Sequence, residues 1–250
     1  MGVGTVQVAG DLGSPGNNSM ADYRIRRATH IVDHVLPIFD KYPLLTSKYS
    51  NYDLFKSAAL IMNNSSLSTA EKDKLLTELK NQGTIPKGYV SPAWAVVEAN
   101  VTSLSDANTV MSKPWLVGFT EASGSFYLTL KKAGGLVHSF GITQKQEDMI
   151  VIQAIGQILG IPAKTKKTYV TVDTTNEQTV SFLVDYFFKT MKGMKSLEYR
   201  IWARSFVKSR SGPKASYAYL KQVREQMRNI RSIRQDKNFK LSHCTTSILV

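Results

Sequence analysis

Apolar and polar residues change their period several times along this 250-residue chain, and the changes predict a mixture of helices and strands. Residues 2–8 and 21–27 alternate between apolar and polar positions, which is typical of strands. Residues 29–42 and 51–62 have helical apolar spacing instead. Pro37 lies inside the first of these helices and should kink or shorten it.

A further helix is predicted over residues 68–83 by its terminal signals as well as by its pattern. Ser68 is a candidate N-cap, and Glu71 stands three residues later, as in a capping box. Gly83 is placed to end the helix. Residues 84–94 follow as a connector interrupted by proline and glycine.

The pattern is clearest from residue 113 onward. Residues 113–122 read as a helix and 125–131 as a strand, with Phe126, Leu128 and Leu130 facing inward and Ser125, Tyr127, Thr129 and Lys131 facing outward. A turn at Ala133-Gly134-Gly135 leads to a return strand over 136–144, in which His138 faces the core.

The remaining elements complete a repeating order. A helix over 146–159 ends at Gly160, and the later segments are strands 164–168 and 169–173 and helices 176–191, 195–208 and 216–233. From residue 113 the order is helix, strand, strand, helix, strand, strand, helix. Residues 2–62 give strand, strand, helix, helix, which is the latter part of the same order, so the chain is predicted to hold one and a half copies of a repeat.

Charge adds a functional expectation to this picture. The chain has 32 Lys and Arg residues against 19 Asp and Glu residues, a net charge of +13. The basic residues cluster, which favours a polyanionic partner over a merely solubilising surface. Three basic strand segments lie at equivalent places in the repeat, and their candidate contacts to nucleic acid are Arg24, Arg26, Arg27, Lys131, Lys132, Lys164, Lys166 and Lys167.

The C-terminal region is also basic. Residues 189–240 contain fifteen Lys and Arg residues and only three acids. Helices of this kind can lie along an RNA or DNA backbone, although a solubilising helix face remains an alternative. Lys195, Arg204 and Lys208 are candidate contacts here.

Several classes of protein are excluded. Cys244 is the only cysteine, so neither an intramolecular disulfide nor a cysteine-based zinc site is expected. His30 and His34 have helical spacing, but Ile31 stands where a zinc protease needs its acid. No apolar run approaches the roughly 18 residues of a membrane span, so no membrane partner is expected. The N-terminal residues lack the pattern of a transit peptide or a secretion signal.

The stretch WLVGFTEASG, residues 115–124, resembles the motif of the LAGLIDADG homing endonucleases and intron maturases. LVGFTEASG lies over the nine family letters, and FGITQK, MKGMKSLEYRIWARS, IFDKYPLLTSK and MSKPWLVGF extend the resemblance over most of residues 2–233. The resemblance implies an α/β (α+β) fold of αββαββα repeats. Motif helices pack together in this family, and the sheets form a saddle over the major grooves of DNA.

The resemblance also implies where the chemistry would lie. In the family, the eighth motif letter is an acid that holds Mg²⁺, which activates water and stabilises the leaving oxygen. Ser123 occupies that letter here. Glu121 occupies the sixth letter and should point elsewhere. Gln144 matches a position near the metal-bound water, although it is also explained as an ordinary polar residue at a strand end. Lys195 matches a position near the phosphate, although it is also explained as a cation at the start of a helix.

The same comparison predicts how the chain is divided. Residues 1–62 would be the remnant of a first repeat, 63–112 a helical linker, 113–235 a complete second repeat and 236–250 a tail. The first repeat's motif helix and its acid are not among these residues. The second motif helix, with Gly118 and Ala122 on it, would then need a protein or RNA partner to cover it.

These observations leave three functions open. The leading hypothesis is a catalytically inactive nucleic-acid-binding protein, with RNA favoured over DNA, acting as a maturase-like or structural component of an organellar ribonucleoprotein such as the mitoribosome. It requires no cofactor or metal. The alternative is an active DNA endonuclease that works as a dimer or split enzyme and uses Mg²⁺. The third is a protein-interaction module. The family resemblance implies a mitochondrial location.

Overall fold

The computed structural model describes residues 2–9, 20–82, 86, 88–132, 134–210 and 217–235. The strands are β1 Thr5–Ala9, β2 Met20–Arg24, β3 Gly124–Leu130, β4 Leu136–Lys145, β5 Ala163–Thr165 and β6 Tyr169–Thr174. The α-helices are α1 Ala28–His30, α2 Leu36–Lys41, α3 Lys48–Asn63, α4 Thr69–Lys80, α5 Leu104–Val110, α6 Lys113–Ser123, α7 Met149–Leu159, α8 Glu177–Phe187, α9 Lys195–Arg210 and α10 Tyr217–Gln235. Short 3₁₀ turns cover Pro92–Val97 and Gln146–Asp148.

The second half of the chain is built on a four-stranded antiparallel sheet. Its strand order is β3-β4-β6-β5, and Ile142 of β4 pairs with Gly124 on one side and with Val172 on the other. With α6 before the sheet, α7 between its hairpins and α8 after it, the order is αββαββα. The predicted repeat and the predicted mixed fold class are therefore confirmed.

One face of this sheet forms the main hydrophobic core with helices α6 to α9. The side chains of Phe126, Phe140, Ile142, Val170 and Val172 are fully buried there. The ring of Phe126 contacts those of Phe140, Phe187, Tyr199 and Trp202, with centroids 5.1–5.8 Å apart. Each fully buried apolar side chain contributes about 1.5–3 kcal/mol, so this layer holds the repeat together.

The other face of the sheet is polar and is not covered by helices α6 to α9. We call it the open face. Ser125, Thr143 and Tyr169 are exposed on it, and Tyr127 and Thr129 are half-buried. Side-chain hydrogen bonds tie neighbouring strands together, Thr129 to Ser139 at 2.7 Å and Thr143 to Thr171 at 3.0 Å. The alternation predicted for β3 thus separates a core face from an open face.

The N-terminal elements form a smaller unit. The strands β1 and β2 pair only with each other, and the next helical stretch has a π-helical turn at Ile31–Val35. Pro37, which cannot donate a backbone hydrogen bond, lies just after this turn, and the helical path continues to Lys41 instead of ending at the proline as one alternative of the prediction had it. Leu36, Tyr52 and Ala59 form the buried cluster of this unit.

A few specific contacts join this unit to the repeat. The indole Nε1–H of Trp94 donates to the carbonyl of Leu45 at 2.8 Å, and both side chains belong to the main core. The backbone N–H of Ser47 donates to Oδ1 of Asp148 at 2.6 Å. Asp148 is only 6% exposed, so this bond replaces water around its carboxyl group.

Local terminal signals were read correctly. Ser68 and Glu71 form a reciprocal capping box at the start of α4. Asn176 caps α8 by accepting from the N–H of Thr179 at 3.0 Å. Gly160 adopts a positive φ of 65° after α7, a conformation that glycine adopts without strain. Gly83, Ala133 and residues 236–250, with Cys244 and His243, lie outside the described residues.

Other predictions were wrong in detail. Leu130 is 49% exposed, because β3 ends there and no helix covers the end of the strand. The predicted basic strand over 164–168 is short, and Lys166 and Lys167 lie in the β5–β6 turn. Strand β2 ends at Arg24, so Arg26 does not share its face. Helix α8 ends at Phe187, not near 191, since Lys189 has a left-handed backbone with φ of 57°. None of the described helices combines the length and the apolar character of a membrane span.

Candidate nucleic-acid interface and motif site

The junction between α6 and β3 explains the glycine that closes the motif. Pro114 lies in the first turn of α6, and Leu116, Val117 and Thr120 bury one side of the helix. A Cβ atom on Gly124 would lie 2.6 Å from Cγ2 and 2.8 Å from the carbonyl oxygen of Thr120. Only glycine therefore lets the chain pass directly from the helix into the strand.

Glu121 is committed to a structural role within this junction. Its carboxylate accepts the backbone N–H groups of Lys192 and Gly193, the latter at 2.7 Å. A Cβ atom on Gly193 would lie 2.2 Å from Oε2 of Glu121, so the approach needs glycine there. Glu121 thus fixes the segment before α9 by accepting two of its backbone N–H groups.

The other three motif candidates lie at the same end of the sheet. Nζ of Lys195, at the start of α9, donates to the carbonyl of Gly124 at 2.6 Å. Gln144 lies two residues beyond the partner of Gly124 on β4 and shares the core face of Ile142. Ser123 is the last residue of α6 and, like Gln144, is half-buried. The fold therefore brings together Ser123, Gln144 and Lys195.

The chemistry of these groups does not suit a resident Mg²⁺. That ion prefers carboxylate oxygens, whereas Ser123 offers a neutral hydroxyl and the carboxylate of Glu121 is turned to backbone amides. The ammonium group of Lys195 at the Gly124 carbonyl adds a positive charge. The described residues contain no group of three or more His, Cys, Asp or Glu side chains that could hold a metal.

Basic turns lie at opposite ends of the open face. Lys131 and Lys132 follow β3, and Nζ of Lys131 donates to Oγ1 of Thr175 at 2.8 Å. Lys166 and Lys167 lie in the β5–β6 turn, where Nε2 of Gln146 holds their two carbonyl oxygens at 2.9 and 3.1 Å. Because these two hydrogen bonds fix the backbone of the turn, the exposed side chains of Lys166 and Lys167 are available to bind an anion.

Lys164 belongs to the open face as well. It lies opposite Thr171 in the pairing of β5 with β6. Its Nζ forms an ion pair of 2.9 Å with the carboxylate of Asp173. Both side chains are more than 40% exposed, so water screens the pair strongly and an approaching phosphate can compete for the lysine.

The remaining basic candidates lie elsewhere. Arg24 forms an exposed ion pair of 2.7 Å with Asp22, and Arg26 and Arg27 are exposed just beyond β2. Arg204 and Lys208 lie on α9, whose inner side packs on the core face of the sheet, so they belong to the helix layer. The structure does not bring these residues to the open face, and Nζ of Lys208 instead lies 4.6 Å from the ring centre of Tyr219.

His138 faces the core, as its place in the strand predicts. It is 6% exposed, and its Nε2 lies 2.7 Å from Oγ of Ser205. Burial lowers the pKa of His138 to about 4, because the charged form loses its hydration. The ring is therefore neutral near pH 7 and adds no charge to the interface.

The sequence interpretation missed a set of arginines on α10. Arg231 donates from Nε to Oε2 of Glu198 at 2.9 Å and from its terminal nitrogen to the carbonyl of Phe126. Glu198 is only 1% exposed, so this ion pair is buried on the acidic side. The spacing of Arg224, Arg228 and Arg231 by four and three residues was a signal that they share one side of the helix.

The comparisons with known proteins decide the family. The model of the LAGLIDADG endonuclease family matches residues 5–59 and 116–206. This chain belongs to the LAGLIDADG endonuclease family. The match includes most of the motif helix α6, the whole β3–β6 sheet and most of α9, and it also includes β1, β2, α1, α2 and most of α3.

Among curated proteins, the chain is similar to two yeast proteins that cover different shares of it. The chain is 35% identical over 208 residues to the probable intron-encoded endonuclease Cox1-I1b of Schizosaccharomyces pombe, covering 80% of this chain and 50% of that protein. It is 32% identical over 125 residues to the uncharacterized mitochondrial protein RF1 of Saccharomyces cerevisiae, covering 50% of this chain and 23% of that one. The matched part of the chain thus spans half the length of the fission-yeast relative. It spans less than half of the length of the other curated relatives.

Solved LAGLIDADG structures share the fold. The structure of the I-SmaMI LAGLIDADG homing endonuclease bound to cleaved DNA superposes with a TM-score of 0.66 at 22% identity, covering 95% of this chain and 79% of that one. The LAGLIDADG meganuclease I-AabMI bound to uncleaved DNA gives 0.66 at 20% identity, covering 89% and 80%. At these identities the likeness establishes the fold, and it agrees with the predicted fold class.

Proposed function

We propose that this chain binds double-stranded DNA on the open face of the β3–β6 sheet, as part of an intron-encoded LAGLIDADG protein. The observation that carries the proposal is the open face itself, a polar sheet surface with lysines at opposite ends. Such a surface can place the turn lysines on phosphates and the strand side chains on base edges in the major groove.

DNA is a better partner than RNA for this surface. The A-form RNA major groove is deep and narrow, so side chains on a sheet cannot read it, whereas the B-DNA major groove admits them. The solved neighbours include proteins bound to DNA, and the fission-yeast relative is named a probable intron-encoded endonuclease. These findings favour DNA over the RNA partner that the sequence analysis preferred.

Cleavage is a separate question from binding. Lys195 and Gln144 are suitably placed to position a phosphate at the end of α6. The carboxylates that would bring Mg²⁺ there must come from another polypeptide segment or partner, because Ser123 supplies none. We therefore propose a DNA-binding role in which this junction does not cleave by itself, and a mitochondrial setting follows from the intron-encoded and mitochondrial relatives.

Binding is tested with a 30-base-pair DNA duplex and an RNA duplex of the same length over a range of salt. We expect tighter binding to DNA and an affinity that falls steeply as salt rises. The double variant Lys166→Gln/Lys167→Gln should lower the log–log salt slope by about 2, since each phosphate contact contributes about 0.9. Lys74→Gln/Lys80→Gln on α4 is the matched control and should leave the slope unchanged. Tighter binding to RNA, or equal slopes for both variants, would contradict the proposal.

Cleavage is tested by restoring the missing acid. Ser123→Asp puts a carboxylate at the last position of α6, and Ser123→Asn is the control of similar size without the charge. With Mg²⁺ and a library of duplexes, we expect nicking only for the aspartate variant. Efficient Mg²⁺-dependent cleavage by the unmodified chain would support the endonuclease alternative and overturn the proposed limitation.

A further inference from the structure

A cleft of about 380 Å³ separates α10 from the edge strand β3. Ser125 and Tyr127 line it on the strand side, and Arg224, Arg228 and Arg231 line it on the helix side. Ser125 and Tyr127 also belong to the open face, so the cleft continues that face past the edge of the sheet.

The walls of the cleft are firmly held. Leu220, Val223 and Met227 are buried members of the main core and fix α10. The guanidinium of Arg231 bridges the buried carboxylate of Glu198 and the carbonyl of Phe126 at the edge of β3. Two hydrogen bonds from one guanidinium to two different acceptors fix the distance between α10 and the strand, so the cleft is preorganised.

The charge of the cleft is positive. Glu198 offsets Arg231, and Glu225 forms an exposed ion pair of 2.8 Å with Arg228. Among the described residues, Arg224 has no ion pair, and its side chain is half-buried beside the strand. An exposed pair such as that of Arg228 is weak and can be exchanged for a phosphate.

Hydroxyl groups complete the set of donors. Ser125 is exposed, and Tyr127 is half-buried. Burial and then the charge of Asp173 raise the pKa of Tyr127, so its hydroxyl keeps its proton near pH 7, and this hydroxyl lies over Gly141 of β4 on the adjoining open face. Within the cleft, the guanidinium of Arg224 and the hydroxyl of Ser125 can donate to the tetrahedral oxygens of a phosphate diester.

We propose that this cleft, centred on Arg224, binds a backbone phosphate of the DNA that lies on the open face. The inference rests on the proposed function and deepens it, because it adds a contact from α10 outside the sheet. The continuity of the cleft with the open face favours the nucleic-acid backbone over an acidic peptide. The contact is independent of base sequence, since it reaches only phosphate.

The test compares two single substitutions on α10. Arg224→Gln removes the central charge of the cleft, and Lys221→Gln removes an exposed charge about one turn earlier on the same helix that does not line the cleft. Binding of a 30-base-pair duplex is measured from 50 to 300 mM salt. We expect Arg224→Gln to reduce the salt slope by about 1 and the affinity roughly eightfold at 0.1 M salt, equally for all sequences.

One further variant and one further measurement keep the test decisive. Arg224→Lys retains the charge and should restore most of the slope, and thermal unfolding of each variant shows whether α10 remains docked. If Arg224→Gln and Lys221→Gln change the salt slope and the affinity equally while the unmodified chain binds the duplex, the proposal for the cleft is wrong and the proposed function stands. Failure of the unmodified chain to bind any duplex would overturn both.

Discussion

The two strand-containing regions of this protein differ in what covers their sheets. The β3–β6 sheet buries Phe126 and Val172 completely under a layer of helices. On the β1–β2 pair, Val6 is 71% and Tyr23 is 53% exposed. The difference teaches that the four-stranded sheet of the αββαββα repeat buries one face under its own helices, whereas a single strand pair followed by helices leaves its strands exposed to solvent.

The smaller region is therefore held by attachment as much as by its own core. Its buried cluster is limited to Leu36, Tyr52 and Ala59 with partly buried neighbours. The segment after α2 docks on the repeat through Leu45 and through the bond from Ser47 to Asp148. We expect the region to open locally at a lower free energy than the repeat.

The largest expected effect comes from the aromatic core of the repeat. Trp202→Ala removes a fully buried indole and its 3.2 Å hydrogen bond to the carbonyl of Tyr127. The free energy of unfolding should fall by about 3–5 kcal/mol. Leu36→Ala, in the smaller cluster, should cost about 2 kcal/mol. Denaturant unfolding measures the first, and amide exchange within 28–63 measures the second; equal global losses would show that the two regions unfold as one.

The second prediction concerns how the stability of the repeat depends on pH. The folded pKa of His138 is about 4, below the ordinary value of 6.5. The unfolded chain therefore binds this proton first, and stability falls as pH drops from 6.5 to 4, with about 2–3 kcal/mol lost in all. Thermal unfolding of the unmodified chain and of His138→Gln between pH 4 and 7 gives the difference. A pH dependence that is the same in the variant would assign the acid sensitivity to other groups.

The smallest effect tests the attachment itself. Asp148→Ala leaves the buried N–H of Ser47 without its acceptor and should cost about 1–2 kcal/mol. Asp148→Asn keeps an acceptor oxygen and is the control. Amide exchange should quicken within 28–63 while the β3–β6 strands stay protected. Faster exchange in the β4 strand as well would mean that Asp148 supports the repeat and not only the attached region.

Local signals in the sequence predicted most of the helices and strands. The capping box of Ser68 and Glu71 and the core orientation of His138 depend only on near neighbours and on strand alternation, and both were correct. The prediction that Leu130 faces the core was wrong, because alternation identifies a face of the strand but not how far the covering helices extend. The prediction of a strand at Lys166 and Lys167 was wrong, because a run of lysines fits a turn as well as a strand.

The candidate site was only partly predictable, because its contacts are distant in the chain. Glu121 meets backbone N–H groups more than seventy residues later. Arg231 reaches Phe126 and Glu198 only after α9 and α10 have packed. The family resemblance selected Ser123, Gln144 and Lys195 as candidates, but their common position at one end of the sheet and the partners that they already have required the tertiary structure.

The arginine bridge from α10 has a consequence for the protein's behaviour in a crowded compartment. An uncovered edge strand can recruit the backbone of another chain and begin aggregation. Here α10 occupies one edge of the four-stranded sheet through Arg231, and the opposite edge is a three-residue strand that carries Lys164. The sheet is thus closed to strand addition on both sides, and a chain from which α10 detaches should self-associate before it unfolds.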